Sequence, residues 1–136
     1  MRPRPVAPAR IEWRADGVPL AADYGDIYHA RIGALAQSRH VFLGGNGLPA
    51  RWAGRSDFTI VEAGFGLGHN FIAAWDAWRH DPRRCARLHY VAIELHPPSR
   101  EDLERAQAGG TLQPLAAALA AAWPAPIAGL HGIDFE

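Results

Sequence analysis

The chain has no lysine. All 14 basic side chains are arginines, and 14 acids balance them to a formal charge of zero. Alanine is also abundant, so the arginine bias reads as compositional, although a planar guanidinium suits phosphate better than an ammonium does. A neutral balance excludes nucleic-acid binding driven by overall charge; only a local patch could supply it. A single cysteine, Cys85, excludes an internal disulfide framework and fits a reducing compartment, so cytoplasm is the expected location. Lying in an arginine-rich loop with no partner base, it reads as a solvent-facing thiol. No apolar run reaches the length of a membrane-spanning helix. The N-terminus "MRPRPVAPAR" is basic and proline-broken, with no apolar core, and does not resemble a secretory signal. Seven histidines are scattered without an H-x-x-x-H or Cys/His pairing, so no metal site is expected.

About half of the residues are apolar, enough for a core, and the length corresponds to one domain or a piece of a larger one. Residues 1–10 read as a flexible arm ahead of a domain over 11–136. Asp16-Gly17 is a turn signal, placing a short β-hairpin at Ile11–Trp13 and Val18–Leu20. Helical spacing runs from Ile32 to His40. The glycine-rich "LGGNGLPARWAG" that follows reads as irregular loop. From Asp57 the pattern becomes strand ("FTIVEA"), helix ("GHNFIAAWDAWRH", with Phe71, Ile72, Trp75 and Trp78 inward) and strand ("RLHYVAIEL"). Asp81-Pro82 ends the helix. A short helix capped by Ser99 and closed by Gly109-Gly110 comes next, then a third helix over Leu115–Trp123. Strand–helix–strand–helix opens a parallel α/β sheet. Two long strands are fewer than a doubly wound domain needs, so the chain reads as truncated after its first two βα units.

Chemistry concentrates in "EAGFGLG", between the first long strand and its helix. Glycine permits otherwise strained backbone angles and removes the Cβ between chain and ligand. The helix that follows aims free N–H groups and its positive end at the same place. The spacing departs from G-x-G-x-x-G, because the third glycine is Gly68 and His69 occupies the dinucleotide position. Glu62, two residues before Gly64, is awkward beside a pyrophosphate and favourable beside an ammonium or sulfonium. The loop spacing therefore favours S-adenosylmethionine. Glu94, ending the second strand, suits ribose hydroxyls; an acid there serves nicotinamide cofactors equally well.

Taken together, "DYGDIYHA", "VFLGGNGLPARW", "TIVEAGFGLGHNFIAAWDAW" and "LHYVAIELHPPSREDL" resemble the methyltransferase domain of the MnmC/MnmD tRNA-modification family, in order from Ile11 to Trp123. The resemblance implies a Rossmann-like class I methyltransferase that uses S-adenosylmethionine to N-methylate 5-aminomethyl-2-thiouridine at the tRNA wobble position. It also implies a tRNA partner, and FAD only where a C-terminal oxidase domain is fused. By position, Glu62, Gly64, Phe65, Gly66 and Gly68 would surround the methionine end of the cofactor, Glu94 would hold its ribose, and Tyr28 and Asn46 would form a lid or wall. Leu95 stands where the family often has lysine. The family's later acidic segment and its "DGFAP"-like segment near the reacting amine are absent, so no catalytic residue is named. Rival readings are a class I methyltransferase with another substrate, a nicotinamide oxidoreductase, and an inactive truncated remnant. Arg79, Arg83, Arg84 and Arg87 read first as a solvated loop stabilising a helix end and second as a phosphate contact. Trp75 and Trp78, at helical spacing, read as core.

Overall fold

In the computed structural model, which describes residues 2–29 and 33–135, the chain opens with a small antiparallel sheet. Strand β1 (Ile11–Trp13) pairs with β2 (Pro19–Ala21) in the register Ile11 opposite Ala21, and β3 (Asp26–Ile27) adds to β2. The second strand thus lies one residue later than the sequence pattern suggests. The two-residue third strand carries too little pattern to be read. Asp16 accepts from the Val18 N–H and Gly17 takes a φ of 78°, which together reverse the chain. Residues 4–9, expected as a flexible arm, bond their backbone elsewhere: Val6 to the Pro126 carbonyl at 2.8 Å, Ala9 to that of Pro97, and Arg4 to the Ala128 N–H.

Helix α1 (Ala34–Gln37) runs into a π-helical stretch over Ser38–Gly44, and a 3-10 turn follows at Ala50–Trp52. Ile32, the expected helix start, lies outside the described residues. The segment expected to be irregular is therefore partly helical. Leu43, Leu48 and the fully buried Trp52 pack with Ile60, Ala73 and Ala74, and that burial outweighs the poor helix propensity of Gly44. The indole of Trp52 also donates to Asp81 at 2.7 Å, fixing this layer against the end of the next helix.

Strands β4 (Asp57–Ala63) and β5 (Arg87–Ile93) form a parallel pair, Asp57 opposite Arg87 through Ala63 opposite Ile93, joined through helix α2 (His69–His80). The strand alternation turns Ile60 and Glu62 inward and leaves Val61, Val91 and Ile93 exposed. Helix α2 buries Ile72 through Trp75; Phe71 and Trp78 are half-buried. Full burial of a side chain such as Ile72 contributes roughly 2 kcal/mol. Helix α3 (Arg100–Ala106) starts at Ser99, whose hydroxyl oxygen accepts from the Asp102 N–H at 3.1 Å. Helix α4 (Gln113–Ala122) lays Leu115 and Leu119 against Phe65, Ile72 and Leu103.

Cys85 is fully buried, contrary to the solvent-facing thiol expected. Its neighbours Arg83 and Arg84 are exposed while its side chain packs with Trp52, Ala73 and Ala74. The guanidinium of Arg84 lies 4.6 Å over the Trp78 ring and donates to the Arg79 carbonyl at the end of α2. That arrangement matches a loop stabilising a helix end.

Candidate functional site

The site grows from the turn between β4 and α2. Gly64, Gly66 and Gly68 have φ values of 84°, 57° and 77°, a region that L side chains rarely adopt. At Gly68 the constraint is also steric, since a Cβ would meet the Phe65 ring at 3.0 Å and Leu119 at 3.2 Å. At Gly64 a Cβ would meet nothing within 4 Å, and the residue borders a cavity of about 300 Å³. Glycine there keeps a ligand's approach to the backbone open. The turn is held to the second strand twice: the Gly64 N–H donates to the Ile93 carbonyl at 2.7 Å, and the Gly66 N–H to Glu94 Oε2 at 2.9 Å.

Tyr28, Asn46, Glu62, Gly64, Phe65 and Gly66, six of the eight residues expected at the site, line this cavity together. Gly68 sits instead at the N-cap of α2, and Glu94 lies behind the turn. Tyr28 covers Gly66, with its ring 3.5 Å from where a Cβ would sit. Burial, and next the negative charge of Glu94, raise its phenol pKa. Asn46 donates its amide to the Phe42 carbonyl at 2.7 Å, which ties the glycine-rich segment back onto the π-helical stretch. Phe65 faces two ways: it borders the cavity and stacks on Trp123 with centroids 5.1 Å apart.

Glu62 is the buried charge of the site. Its Oε1 accepts from Asn70 Nδ2 at 2.7 Å and its Oε2 from the Tyr90 hydroxyl at 2.6 Å. Burial raises its pKa, the two hydrogen bonds work in the opposite direction, and the net shift is upward. Tyr90 is pushed up as well, by burial and then by its bond to Glu62. A carboxylate has lone pairs to spare beyond these two bonds, so Glu62 can still accept from a ligand cation. Glu94 is engaged by the main chain. Both of its oxygens take backbone N–H groups, Gly66 on Oε2 and His96 on Oε1 at 2.8 Å, so it braces the glycine turn.

Sequence reasoning missed His29, His69, Asn70, Tyr90 and Gln107. Asn70 and Tyr90 follow from a rule that could have been applied: a buried strand-end acid must find donors. Tyr90 sits opposite Ile60, two residues before Glu62 on the same sheet face. No sequence signal marks Gln107, which reaches His69 from α3, 38 residues away.

Fold and cavity define a mixed α/β protein built on a parallel strand–glycine turn–helix–strand unit. No family model matches the chain. It is 57% identical over 136 residues to the tRNA 5-methylaminomethyl-2-thiouridine biosynthesis bifunctional protein MnmC of Methylibium petroleiphilum, covering all of this chain and 21% of that protein. The MnmC of Cupriavidus necator is 55% identical (98% of this chain, 20% of that protein) and that of Aromatoleum aromaticum 56% (97% and 21%). The chain spans about a fifth of the length of these curated relatives. Among solved structures, MnmC2 from Aquifex aeolicus superposes with a TM-score of 0.52 at 27% identity, over 65% of this chain and 30% of that one. By sequence the chain matches the N-terminal part of the bifunctional MnmC proteins. Among the described residues no helix is long and apolar enough to cross a membrane.

Proposed function

We propose that residues 11–136 form the N-terminal portion of a Rossmann-like class I methyltransferase domain. On this reading the domain uses S-adenosylmethionine to N-methylate 5-aminomethyl-2-thiouridine at the wobble position of tRNA, in the cytoplasm. One observation carries the reading: a buried carboxylate, Glu62, borders a cavity whose floor at Gly64 has open space in place of a side chain. An acid-lined hollow complements a cation and repels a pyrophosphate. The names of the curated relatives and of the solved neighbour supply the substrate class.

The residues present fit the methionine end of the cofactor. Glu62 and Asn46 provide polar groups beside the glycine backbone, Tyr28 closes one wall, and Glu94 stands at the strand end next to the turn. Bound there, S-adenosylmethionine supplies a methyl group already activated by positively charged sulfur. The chain contributes orientation, which is worth up to roughly 7–11 kcal/mol when reacting atoms are well aligned. It also contributes a site closed on the Tyr28 side. No side chain here is assigned to take the amine's proton. In a protein with a fused C-terminal FAD-dependent domain, that second part would generate the amine.

The reading is tested by incubating the full-length protein with methyl-labelled S-adenosylmethionine and tRNA from cells that lack this methyl group. Label is expected in the wobble nucleoside. Absence of transfer, combined with calorimetric binding of NADH in place of S-adenosylhomocysteine, would replace this reading with an oxidoreductase.

A further inference from the structure

The arginines are not spread evenly over the fold. Arg51, in the 3-10 turn, and Arg55, just before β4, both approach the half-buried Phe58 ring, with guanidinium carbons 5.6 and 5.9 Å from its centroid. Arg79, Arg83, Arg84 and Arg87 run from the last turn of α2 to the first residue of β5. Two backbone bonds tie these stretches together. The Gly54 N–H donates to the Arg83 carbonyl at 2.9 Å, and the Ala86 N–H to that of Arg55 at 3.2 Å. Six arginines from two separate parts of the sequence thus meet at the N-terminal end of the parallel pair, where Asp57 and Arg87 stand opposite each other in the strand register. All six are exposed, and none forms an ion pair among the described residues. Arg51 and Arg84 each give one N–H to a backbone carbonyl, of Asn46 and Arg79, out of the five that a guanidinium carries.

The same loops contain two acids. Asp57 lies 3.6 Å from His89, and Asp81 accepts from the Trp52 indole and the Arg83 backbone N–H. Six arginines against two acids leave this end clearly positive, and the remainder of a chain that balances to zero is negative by the same amount. A local patch of this kind is what a neutral chain needs to hold a polyanion. Among the described residues, no large exposed apolar side chain lies in these loops, which argues against a protein partner, whose contact core is apolar or aromatic. Planar guanidinium forks match the oxygens of phosphate. The seven-residue β4 separates this end from the glycine turn by roughly 20 Å, so the patch lies apart from the cavity. We propose that this arginine face binds the phosphate backbone of the RNA whose reacting nucleotide enters the cavity, at nucleotides remote from the reacting one. The assignment rests on the tRNA reading above and deepens it, by separating a docking surface from the chemical site. Contacts of this type add affinity and fix orientation without reading base sequence.

The test measures binding of a labelled tRNA transcript to the full-length protein by fluorescence anisotropy across a salt series. Arg55, Arg83 and Arg87 are replaced together by Ala, because they take no part in an ion pair or in capping α2. The triple variant is expected to bind about thirtyfold more weakly at low salt, and the slope of log affinity against log salt should flatten by roughly two to three. Its loss should be alike for tRNAs of different sequence, with KM for tRNA raised and kcat unchanged. Binding of S-adenosylhomocysteine should stay within twofold. Arg83→Ala with Arg87→Ala carries the test if the triple variant fails to fold. Replacing the ion-paired Arg10 and Arg14 by Ala is the control, expected to change tRNA affinity less than twofold. An unchanged affinity and salt slope in the triple variant, or an equal loss in the control, overturns the assignment and leaves the cofactor reading standing. Wild-type protein that binds no tRNA overturns the assignment together with the tRNA reading. Wild-type protein that binds tRNA through these arginines but not S-adenosylhomocysteine supports the assignment and overturns the cofactor reading alone.

Discussion

The ends of β4 and β5 look alike in sequence, each an apolar strand closing on a glutamate, yet the two acids are held in opposite ways. Glu62 is buried and takes its hydrogen bonds from side chains, Asn70 and Tyr90. Glu94 is half-buried and takes them from main-chain N–H groups, Gly66 and His96. The first is therefore a charge built into a cavity wall, held under tension by its burial. The second is a brace that sets the shape of the glycine turn, and it stays near enough to solvent to meet a ligand. A matching position at a strand end does not fix a matching job; the donors that the rest of the fold delivers decide it.

If that contrast is right, the two acids respond differently to replacement. Glu62→Leu strands the Tyr90 hydroxyl and the Asn70 amide in a buried site and is expected to cost about 3–4 kcal/mol in urea denaturation. Glu94→Leu releases two backbone donors near the surface and is expected to cost about 1–2 kcal/mol. Equal losses would mean that the two strand ends do the same work.

The turn between the acids gives a second expectation. Gly68→Ala must place a Cβ against Phe65 and Leu119 at a positive φ, which is expected to cost about 2–3 kcal/mol, read as a lower denaturation midpoint. Gly64→Ala meets no atom within 4 Å, so it keeps only the backbone strain, about 1 kcal/mol, while ligand affinity falls because the new methyl occupies the hollow.

Protonation separates Glu62 from its surroundings on a finer scale. Its folded pKa lies above the 4.5 of a free glutamate, so the folded state holds the proton longer. Stability arising from this group is thus present at low pH and is lost as pH rises from 4.5 through the raised value. A cationic ligand beside Glu62 favours the ionised form, so its affinity should climb over the same interval. In Glu62→Gln both slopes should vanish, as followed by melting temperature and calorimetry. His69 has the opposite sign: its pKa falls from 6.5 to about 4 on folding, so its contribution is complete above pH 6.5 and is lost as pH drops toward 4. A melting curve of His69→Gln, flatter than wild type across that acid interval, is the expected result.

The strand–turn–helix–strand unit was readable because its signals agree at every level: β-branched and aromatic runs, three spaced glycines, an apolar helix face and an Asp-Pro stop. The α3 cap at Ser99 was readable for the same reason. The segment around Gly44-Gly45 was not, since its local propensity argues for loop while the burial of Leu43, Leu48 and Trp52 imposes helical winding, a tertiary decision with no local sign. Cys85 misled in the same way, its arginine neighbours advertising a surface that its side chain does not share. At the site, the sequence supplied Glu62 and the glycines. It could not supply the donors that complete them, because Tyr90 and Gln107 arrive from other elements. Glu94 was placed at the correct strand end, but its bracing of Gly66 depends on the parallel register, which a single strand does not reveal.

The most direct test of the central claim is a crystal structure of the full-length protein with S-adenosylhomocysteine. The amino-acid end of the ligand should lie among Glu62, Gly64, Asn46 and His69, with the ribose beside Glu94. A hollow at Gly64 that stays empty while the ligand binds elsewhere, or that accepts the pyrophosphate of a dinucleotide in a parallel soak, would contradict it.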